Sequence, residues 1–174
     1  MFVNKPPQVA SPAVTTRSPD LSDLPAISRL HARAFGPGRF ARTAYRVREG
    51  QSPVSRYCRV AFADDRLIAA LRFTEITIGG KPGALLLGPL AVDPDFANQG
   101  YGRQLISEGL EQARGAGIGL VVLIGDVPYY GRFGFAPVPP GSITLPGPVD
   151  PARILALELR PGALAEFSGL IRAA

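Results

Sequence analysis

Residues 87–105 read Leu87-Gly88-Pro89-Leu90-Ala91-Val92-Asp93-Pro94-Asp95-Phe96-Ala97-Asn98-Gln99-Gly100-Tyr101-Gly102-Arg103-Gln104-Leu105. An apolar run leads into a glycine-rich turn, and the turn opens into a segment with helical spacing of apolar residues. The first turn of a helix has N–H groups without intrahelical partners and carries partial positive charge. Gly100 and Gly102 leave space there, and Arg103 adds a cation at the edge. The pattern therefore predicts a strand, a turn and a helix that bind an anion such as pyrophosphate.

Three interpretations of this turn compete. A tight strand-to-helix connection without a ligand is the default for a short Gly-x-Gly pattern, because such patterns often arise by chance. A dinucleotide site needs a third glycine three residues after Gly102, and position 105 is leucine. The sequence also has no phosphate-loop Gly-Lys-Ser/Thr pattern. The third interpretation is a coenzyme A site, which the sequence on both sides of the turn favours.

The surrounding chain predicts one α/β domain with a mixed rather than purely parallel sheet. Strands are predicted at 13–16, 59–63, 67–78, 84–92, 118–124, 135–138 and 154–159. Helices are predicted at 18–34, 39–49, 102–113 and 128–133. Ser18 is the expected N-cap of the first helix, with Pro19 at its first position. Gly88-Pro89 predicts a bulge or local opening, because proline cannot donate to a sheet ladder.

Composition excludes several classes of protein. The 174 residues, 46% of them apolar, fit one domain with a buried core. Residues 1–13 are rich in proline and are expected to form a flexible tail before a domain at 14–174. Cys58 is the only cysteine and His31 the only histidine in the sequence, which excludes an intrachain disulfide and a multi-histidine metal site. No apolar run approaches the ~20 residues of a membrane span, and no signal-peptide stretch opens the chain. We therefore expect a cytoplasmic protein without metal or membrane contact.

Two sequence blocks resemble the signature of the GCN5-related N-acetyltransferase (GNAT) family, in its bacterial branch of predicted small N-acetyltransferases. The first block is Leu-Ala-Val-Asp-Pro at 90–94 followed by Ala97-Asn98-Gln99-Gly100-Tyr101-Gly102. It is similar to the family's Arg/Gln-x-x-Gly-x-Gly/Ala after a strand ending in Ala-Val-x-Pro. The second block, Tyr129-Tyr130-Gly131-Arg132-Phe133-Gly134-Phe135, is similar to Tyr-x-x-x-Gly-Phe. Ala97 departs from the family's arginine or glutamine, so any loop stiffening or contact by that side chain is missing.

The resemblance implies a GNAT-like fold, with a partly splayed central sheet flanked by helices, and acetyl-CoA as co-substrate. Acetyl-CoA would lie in the opening between strands 84–92 and 118–124 and would be held mainly by the main chain. Leu90 N–H is a candidate donor to the thioester carbonyl. The implied cofactor-binding residues are Leu90, Ala91, Val92, Ala97, Asn98, Gln99, Gly100, Tyr101, Gly102 and Arg103.

The resemblance also implies that Tyr130, four residues before Gly134, is the catalytic acid that protonates the leaving thiolate. A phenol has a pKa of ~10 and is protonated at neutral pH; Tyr129 is expected mainly to pack. The sequence leaves three alternatives for the general base: Glu75, Asp126 or a water chain. Cys58 has no second cysteine or histidine near it in sequence, so direct transfer to a primary amine in a ternary complex is expected rather than an acetyl-cysteine route.

The acceptor is expected to be a small-molecule or peptide amine that the sequence does not identify. Arginines within 39–48 form either a solvated helix face or, because the first two helices border the acceptor site in this fold, a group that selects a carboxylate-bearing amine. His31 is expected to pack within its helix.

Association into pairs is common in similar proteins, which makes a homodimer one expected state. A non-catalytic acyl-CoA sensor or interaction module of the same fold is the alternative function. A nucleic-acid partner is not expected, because the net charge of +5 is spread along the chain rather than gathered in a stripe.

Overall fold

A nine-stranded sheet organises the computed structural model, which describes residues 11–36 and 43–174. Its strands are β1 (Val14–Arg17), β2 (Arg59–Ala63), β3 (Arg66–Ile78), β4 (Lys81–Val92), β5 (Leu120–Ile124), β6 (Ala136–Pro137), β7 (Ile143–Thr144), β8 (Ile154–Glu158) and β9 (Gly169–Ala173). The α-helices in these residues are α1 (Leu24–Phe35), α2 (Thr43–Arg48), α3 (Tyr101–Gly115) and α4 (Val127–Tyr130). The strand order is β1-β2-β3-β4-β5-β8-β6, with β9 paired to β3 and β7. The mixed α/β prediction is confirmed, because β4 and β5 are parallel while β2, β3 and β4 are antiparallel.

The parallel strands β4 and β5 separate part of the way along their length. Their pairing ends at Leu86 opposite Val122. Both strands continue beyond this point, β4 to Val92 and β5 to Ile124. The sheet is therefore splayed at its centre, as the resemblance implies, and main-chain groups of β4 beyond Leu86 are not paired with β5.

A bulge in β4 marks the start of this separation. Strand β3 pairs Leu71 with Leu90 and Phe73 with Leu87, so β4 carries one extra residue over this interval. The interval contains Gly88-Pro89, and Gly88 has a φ of 121°, a backbone conformation that favours glycine. The predicted bulge at Gly88-Pro89 is confirmed.

Helix α3 covers one face of the sheet. Its predicted apolar stripe is confirmed, because all four members are buried in the main core: Leu105, Ile106, Leu110 and Ala113. They pack with Phe73 of β3 and Leu123 of β5. A second cluster on the opposite face includes Leu86 and Val122 together with Val47 of α2. Helices α2 and α3 thus lie on opposite sides of the gap between β4 and β5.

Gly109 lies where α3 crosses β3, and its lack of a side chain sets their distance. A Cβ at this position would lie 2.3 Å from Cε2 of Phe73 and 3.1 Å from the carbonyl oxygen of Tyr57. Alanine normally stabilises a helix interior by up to about 1 kcal/mol relative to glycine. Overpacking a core costs about 1–3 kcal/mol. We therefore expect Gly109→Ala to lower the free energy of unfolding by about 1–3 kcal/mol in urea denaturation.

Gly115 is the matched control in the same helix. A Cβ there would meet nothing within 4 Å, so Gly115→Ala should leave the free energy of unfolding unchanged or raise it. A stabilising effect of both substitutions would contradict the close contact between Gly109 and Phe73.

The first helix begins later than its sequence pattern predicts. A 3₁₀ turn at Leu21–Asp23 precedes α1, which begins at Leu24. Asp20 caps the turn, because its carboxylate accepts the Ser22 N–H at 2.8 Å while the Asp23 carboxylate accepts the Asp20 N–H at 2.8 Å. The prediction of Ser18 as N-cap and Pro19 as first helical residue is wrong, since this reciprocal pair satisfies the N–H groups instead.

Several other predicted elements differ from the structure or lie partly outside the described residues. Residues 139–151, which connect two predicted strands and are rich in proline and glycine, contain the short strand β7. Strand β9 was not predicted, and it extends the sheet by pairing with Ile76 and Ile78 of β3. Of the predicted helix at 39–49, residues 39–42 lie outside the described residues, as do residues 1–10 of the predicted tail. The boundary at residue 14 remains a prediction.

Candidate active site

The start of α3 presents a run of main-chain N–H groups. Gly100 is the N-cap residue with a φ of 87°, and no side chain caps the helix. Among the hydrogen bonds of the described residues, the N–H groups of 98–103 have no protein acceptor, whereas Ala97 N–H donates to Pro94 and Gln104 N–H to Gly100. Successive unpaired N–H groups at the positive end of a helix attract an anion. The N–H groups of 98–103, the anion cradle, are thus available to a ligand, and their binding of one remains a prediction.

Gly102 brings this helix end close to β4. A Cβ at Gly102 would lie 3.1 Å from the Tyr129 hydroxyl, 3.4 Å from Cδ2 of Leu90 and 3.5 Å from Cγ2 of Val92. The glycine thus serves close packing, and it places the Tyr129 hydroxyl beside the cradle. Tyr101 is partly buried against Phe96, with ring centroids 6.3 Å apart. The remaining predicted residues of the turn are exposed: Ala97, Asn98, Gln99, Gly100 and Arg103.

The end of β4 turns alternate main-chain groups toward the gap. Asp93 N–H donates to Ile68 of β3 at 2.7 Å. Because alternate residues of an antiparallel pair face the same neighbour, Ala91 also faces β3, and Leu90 and Val92 face away from it. Leu90 and Val92 therefore offer main-chain groups on the side where β5 has separated. Ala91 does not, and its side chain is buried in the cluster that includes Leu30 of α1.

Tyr130 lies at the end of α4, against β5. Its ring covers the backbone at Gly125, where a Cβ would lie 2.5 Å from the Tyr130 Cε2. The ring makes edge-on contacts with Tyr129 and Phe135, at centroid distances of 4.8 and 6.1 Å. Burial, with smaller contributions from Tyr129 and Asp126, raises the pKa of Tyr130 to about 12. The phenol is therefore protonated at neutral pH and is available as a proton donor.

A cavity of about 570 Å³ connects Tyr130 with the bulge of β4. Residues 87–89 and Ile124 line it where the two strands diverge. Helices α1 and α2 and the chain around Pro148 line the opposite side. His31, expected to pack within its helix, contacts Phe35 at a centroid distance of 5.8 Å and also lines this cavity. The cavity lies across the sheet from α3.

The two carboxylates named as candidate bases lie outside this cavity. Glu75 is exposed on β3, opposite Leu85. Asp126 accepts a hydrogen bond from Nε of Arg153 at 3.2 Å. Of the carboxylates that the structure describes, Asp150 lines the cavity. Sequence reasoning missed Asp150 because it lies in the Pro/Gly-rich stretch 139–151, which carries no motif.

Comparison with known proteins assigns this geometry to a family. Residues 15–138 match the acetyltransferase (GNAT) domain family. YjhQ, an uncharacterised N-acetyltransferase of Escherichia coli K12, is 32% identical over 121 residues, which span 68% of this chain and 67% of YjhQ. These matches define the class of protein as an acyltransferase. The chain belongs to the GNAT family of N-acetyltransferases, which confirms the resemblance read from its two sequence blocks.

Solved structures extend the likeness beyond the matched domain. YhbS of Escherichia coli, a GNAT family N-acetyltransferase in complex with CoA, has a TM-score of 0.80 and 27% identity, covering 96% of this chain and 93% of its own. A GNAT family acetyltransferase from Brucella melitensis in complex with acetyl-CoA has a TM-score of 0.66 and 29% identity, covering 86% and 90%. The described fold is therefore that of the family.

Residues 11–36 and 43–174 contain neither a membrane-spanning helix nor a metal-binding group of side chains. No helix there is both long and apolar enough to cross a membrane. Within the same ranges, no three His, Cys, Asp or Glu side chains form a group that would hold a metal ion. Cys58 is buried and accepts the Phe73 N–H at 3.3 Å. It does not line the cavity beside Tyr130.

Proposed function

We propose that this protein is an N-acetyltransferase that moves an acetyl group from acetyl-CoA to a primary amine by direct transfer in a ternary complex. One observation carries the proposal: the N–H groups of 98–103 lack protein acceptors and lie beside the gap between β4 and β5. Family membership and the CoA complexes of related structures support coenzyme A as the anion that they bind.

The cofactor is held mainly by main-chain groups. The N–H groups of 98–103 bind the diphosphate, and Arg103 adds a charge at the surface. Leu90 and Val92 offer main-chain donors and acceptors to the extended pantetheine arm, in the manner of an added strand. Ala97 adds no polar side chain, so binding there depends on the backbone alone.

Acetyl-CoA supplies the activated acetyl thioester. Leu90 N–H stabilises the charge that develops on the carbonyl oxygen. As the amine nitrogen bonds to the acetyl carbon, the carbon–sulfur bond breaks and Tyr130 donates its proton to the sulfur. The amine gives up its proton to water, and water returns a proton to Tyr130. Neither Glu75 nor Asp126 lines the cavity, and Asp150, which does, is exposed and accepts the Ala152 N–H. Cys58 also lies outside the cavity, which supports direct transfer over an acetyl-cysteine route.

The acceptor is a small-molecule or peptide amine that reaches Tyr130 through the cavity. Its volume of about 570 Å³ is within the range of small-molecule sites. Cytoplasmic location and a homodimer remain predictions of the sequence.

Coenzyme A alone is expected to stabilise the protein. A ligand that binds only the native state at 100 times its Kd contributes about 2.7 kcal/mol. For a domain of this size that corresponds to a rise in Tm of about 5–10 °C, measurable by differential scanning fluorimetry. ADP, which has the diphosphate but no pantetheine, is the control ligand and should give a smaller shift. An unchanged Tm at millimolar CoA would contradict the proposed function.

A further inference from the structure

Arg72 is a partly buried cation in the wall of the cavity. It lies on the face of β3 that α1 covers, because Ala70, two residues earlier, packs in the cluster of Leu30. Its Nη2 donates to three main-chain oxygens at 3.3–3.5 Å, those of Arg48, Gln51 and Ser52. Its Nε is buried and has no hydrogen-bond partner. The ion pairs of the described residues include none with Arg72.

Among the described residues, this arrangement leaves the positive charge of the Arg72 guanidinium without a counter-charge and its Nε without an acceptor. Desolvation by burial lowers the pKa of Arg72. A buried charge costs free energy unless a counter-charge and hydrogen bonds offset it. The long carbonyl contacts orient the guanidinium but supply no negative charge. An anion bound in the cavity would supply both the charge and the missing acceptor for Nε.

Arg48 connects this position with the reacting end of the cavity. Its carbonyl oxygen accepts the Arg72 contact, and its own Nη2 lies 3.0 Å from where a Cβ on Gly88 would stand. Both arginines line the cavity, together with the bulge of β4 and Tyr130. One residue, Arg48, therefore spans the distance between the Arg72 guanidinium and the bulge.

Arg153 and Asp150 of the cavity wall each take part in a hydrogen bond. Arg153 is paired with Asp126 at 3.2 Å. Asp150 uses Oδ1 to accept the Ala152 N–H at 3.0 Å, and it is exposed. Positive charge is thus concentrated at the end of the cavity formed by β3 and α2.

We propose that the acceptor is a small amine that also carries a carboxylate, and that Arg72, with Arg48 beside it, binds that carboxylate. This assignment rests on the proposed acetyl transfer. A guanidinium presents two parallel N–H donors that match the two oxygens of a carboxylate. Binding the carboxylate there directs the amine toward the bulge and Tyr130. The same cations repel polyamines and other acceptors that have only positive charge.

A panel of matched acceptors tests the assignment by turnover. Standard amino acids, ω-amino acids and the corresponding amides are compared by CoA release from acetyl-CoA. We expect acids to exceed their amides in kcat/KM by about 30-fold or more, the loss typical of removing one partner of a buried charge pair. Arg72→Gln should remove this preference through KM, and Arg72→Lys should keep part of it. Arg114→Gln removes an exposed charge at the far end of α3 and should change neither the preference for acids nor the KM.

A binding measurement separates this assignment from the proposed function. The Tm of the CoA-saturated protein is recorded with N-acetyl amino acids and with their amides. Only the acids should raise the wild-type Tm, and Arg72→Gln should lose that rise while keeping the rise caused by CoA itself, which also shows that the variant is folded. Equal responses to acids and amides, faster turnover of amides or polyamines, or no response to any acid would overturn carboxylate recognition even where CoA binds.

Discussion

Tyr130→Phe is expected to lower kcat by about 10²–10⁴-fold, the usual contribution of a positioned acid–base group. The phenylalanine keeps the ring contacts with Tyr129 and Phe135 and the cover over Gly125. It removes only the hydroxyl that protonates the leaving sulfur. The rise in Tm with CoA should therefore equal that of the wild type. Steady-state measurement of CoA release, with a saturating amine, gives the change in kcat.

Tyr129→Phe is the matched control for that substitution. The Tyr129 hydroxyl lies beside Gly102 at the start of α3, and Tyr129 does not line the cavity, so its removal should change kcat much less. Because the pKa of Tyr130 is raised to about 12, the acid stays protonated in mildly alkaline solution. The loss caused by Tyr130→Phe should thus be the same at about pH 7 and about pH 9. An unchanged kcat in Tyr130→Phe would show that Tyr130 is not the catalytic acid. If the wild type binds CoA but acetylates no amine, the non-catalytic sensor is favoured instead.

The two motif blocks were predictable because their geometry is local. A glycine-rich turn that follows an apolar strand and precedes an amphipathic helix leaves N–H groups unpaired wherever it occurs. Gly100 and its left-handed backbone follow from the same few residues. The bulge at Gly88-Pro89 is also local, since it follows from a proline inside a strand. These features needed no knowledge of which strands become neighbours.

The acceptor end of the site was not predictable, because its parts meet only through the fold. Arg72 lies within an apolar strand, where sequence pattern alone describes it as an ordinary strand residue. Its importance depends on the pairing of β3 with β4 and on the chain around Arg48, Gln51 and Ser52 that closes over it. Strand β9 was missed for the same kind of reason, because its five residues gain their structure by pairing with β3, roughly a hundred positions earlier.

S-acetylpantetheine, which lacks the diphosphate together with the rest of the nucleotide, is expected to have a kcat/KM about 10²–10⁴-fold below that of acetyl-CoA. Hydrogen bonds to a charged group contribute about 1.5–3 kcal/mol each. Loss of about two such bonds between the N–H groups of 98–103 and the diphosphate gives a decrease of this size. The main-chain edge of Leu90 and Val92 still binds the pantetheine arm, so the truncated substrate should retain measurable turnover. Comparable kcat/KM values for the two substrates would contradict an anion cradle at the start of α3.

Gly100→Ala tests the same cradle from the protein side. Gly100 has a φ of 87° and a Cβ would meet nothing within 4 Å, so alanine strains the backbone without a clash. The strain, roughly 1–2 kcal/mol for a left-handed residue with a Cβ, disturbs the alignment of the N–H groups and should lower kcat/KM for acetyl-CoA by about tenfold. Values for S-acetylpantetheine should stay the same. Gly117→Ala is the matched control, because Gly117 has a φ of 80° and equally open surroundings just beyond the other end of α3. Gly117→Ala should lower the free energy of unfolding by a similar amount and leave the preference for acetyl-CoA over S-acetylpantetheine unchanged. If Gly100→Ala lowers kcat/KM equally for both substrates, the diphosphate does not bind at the start of α3.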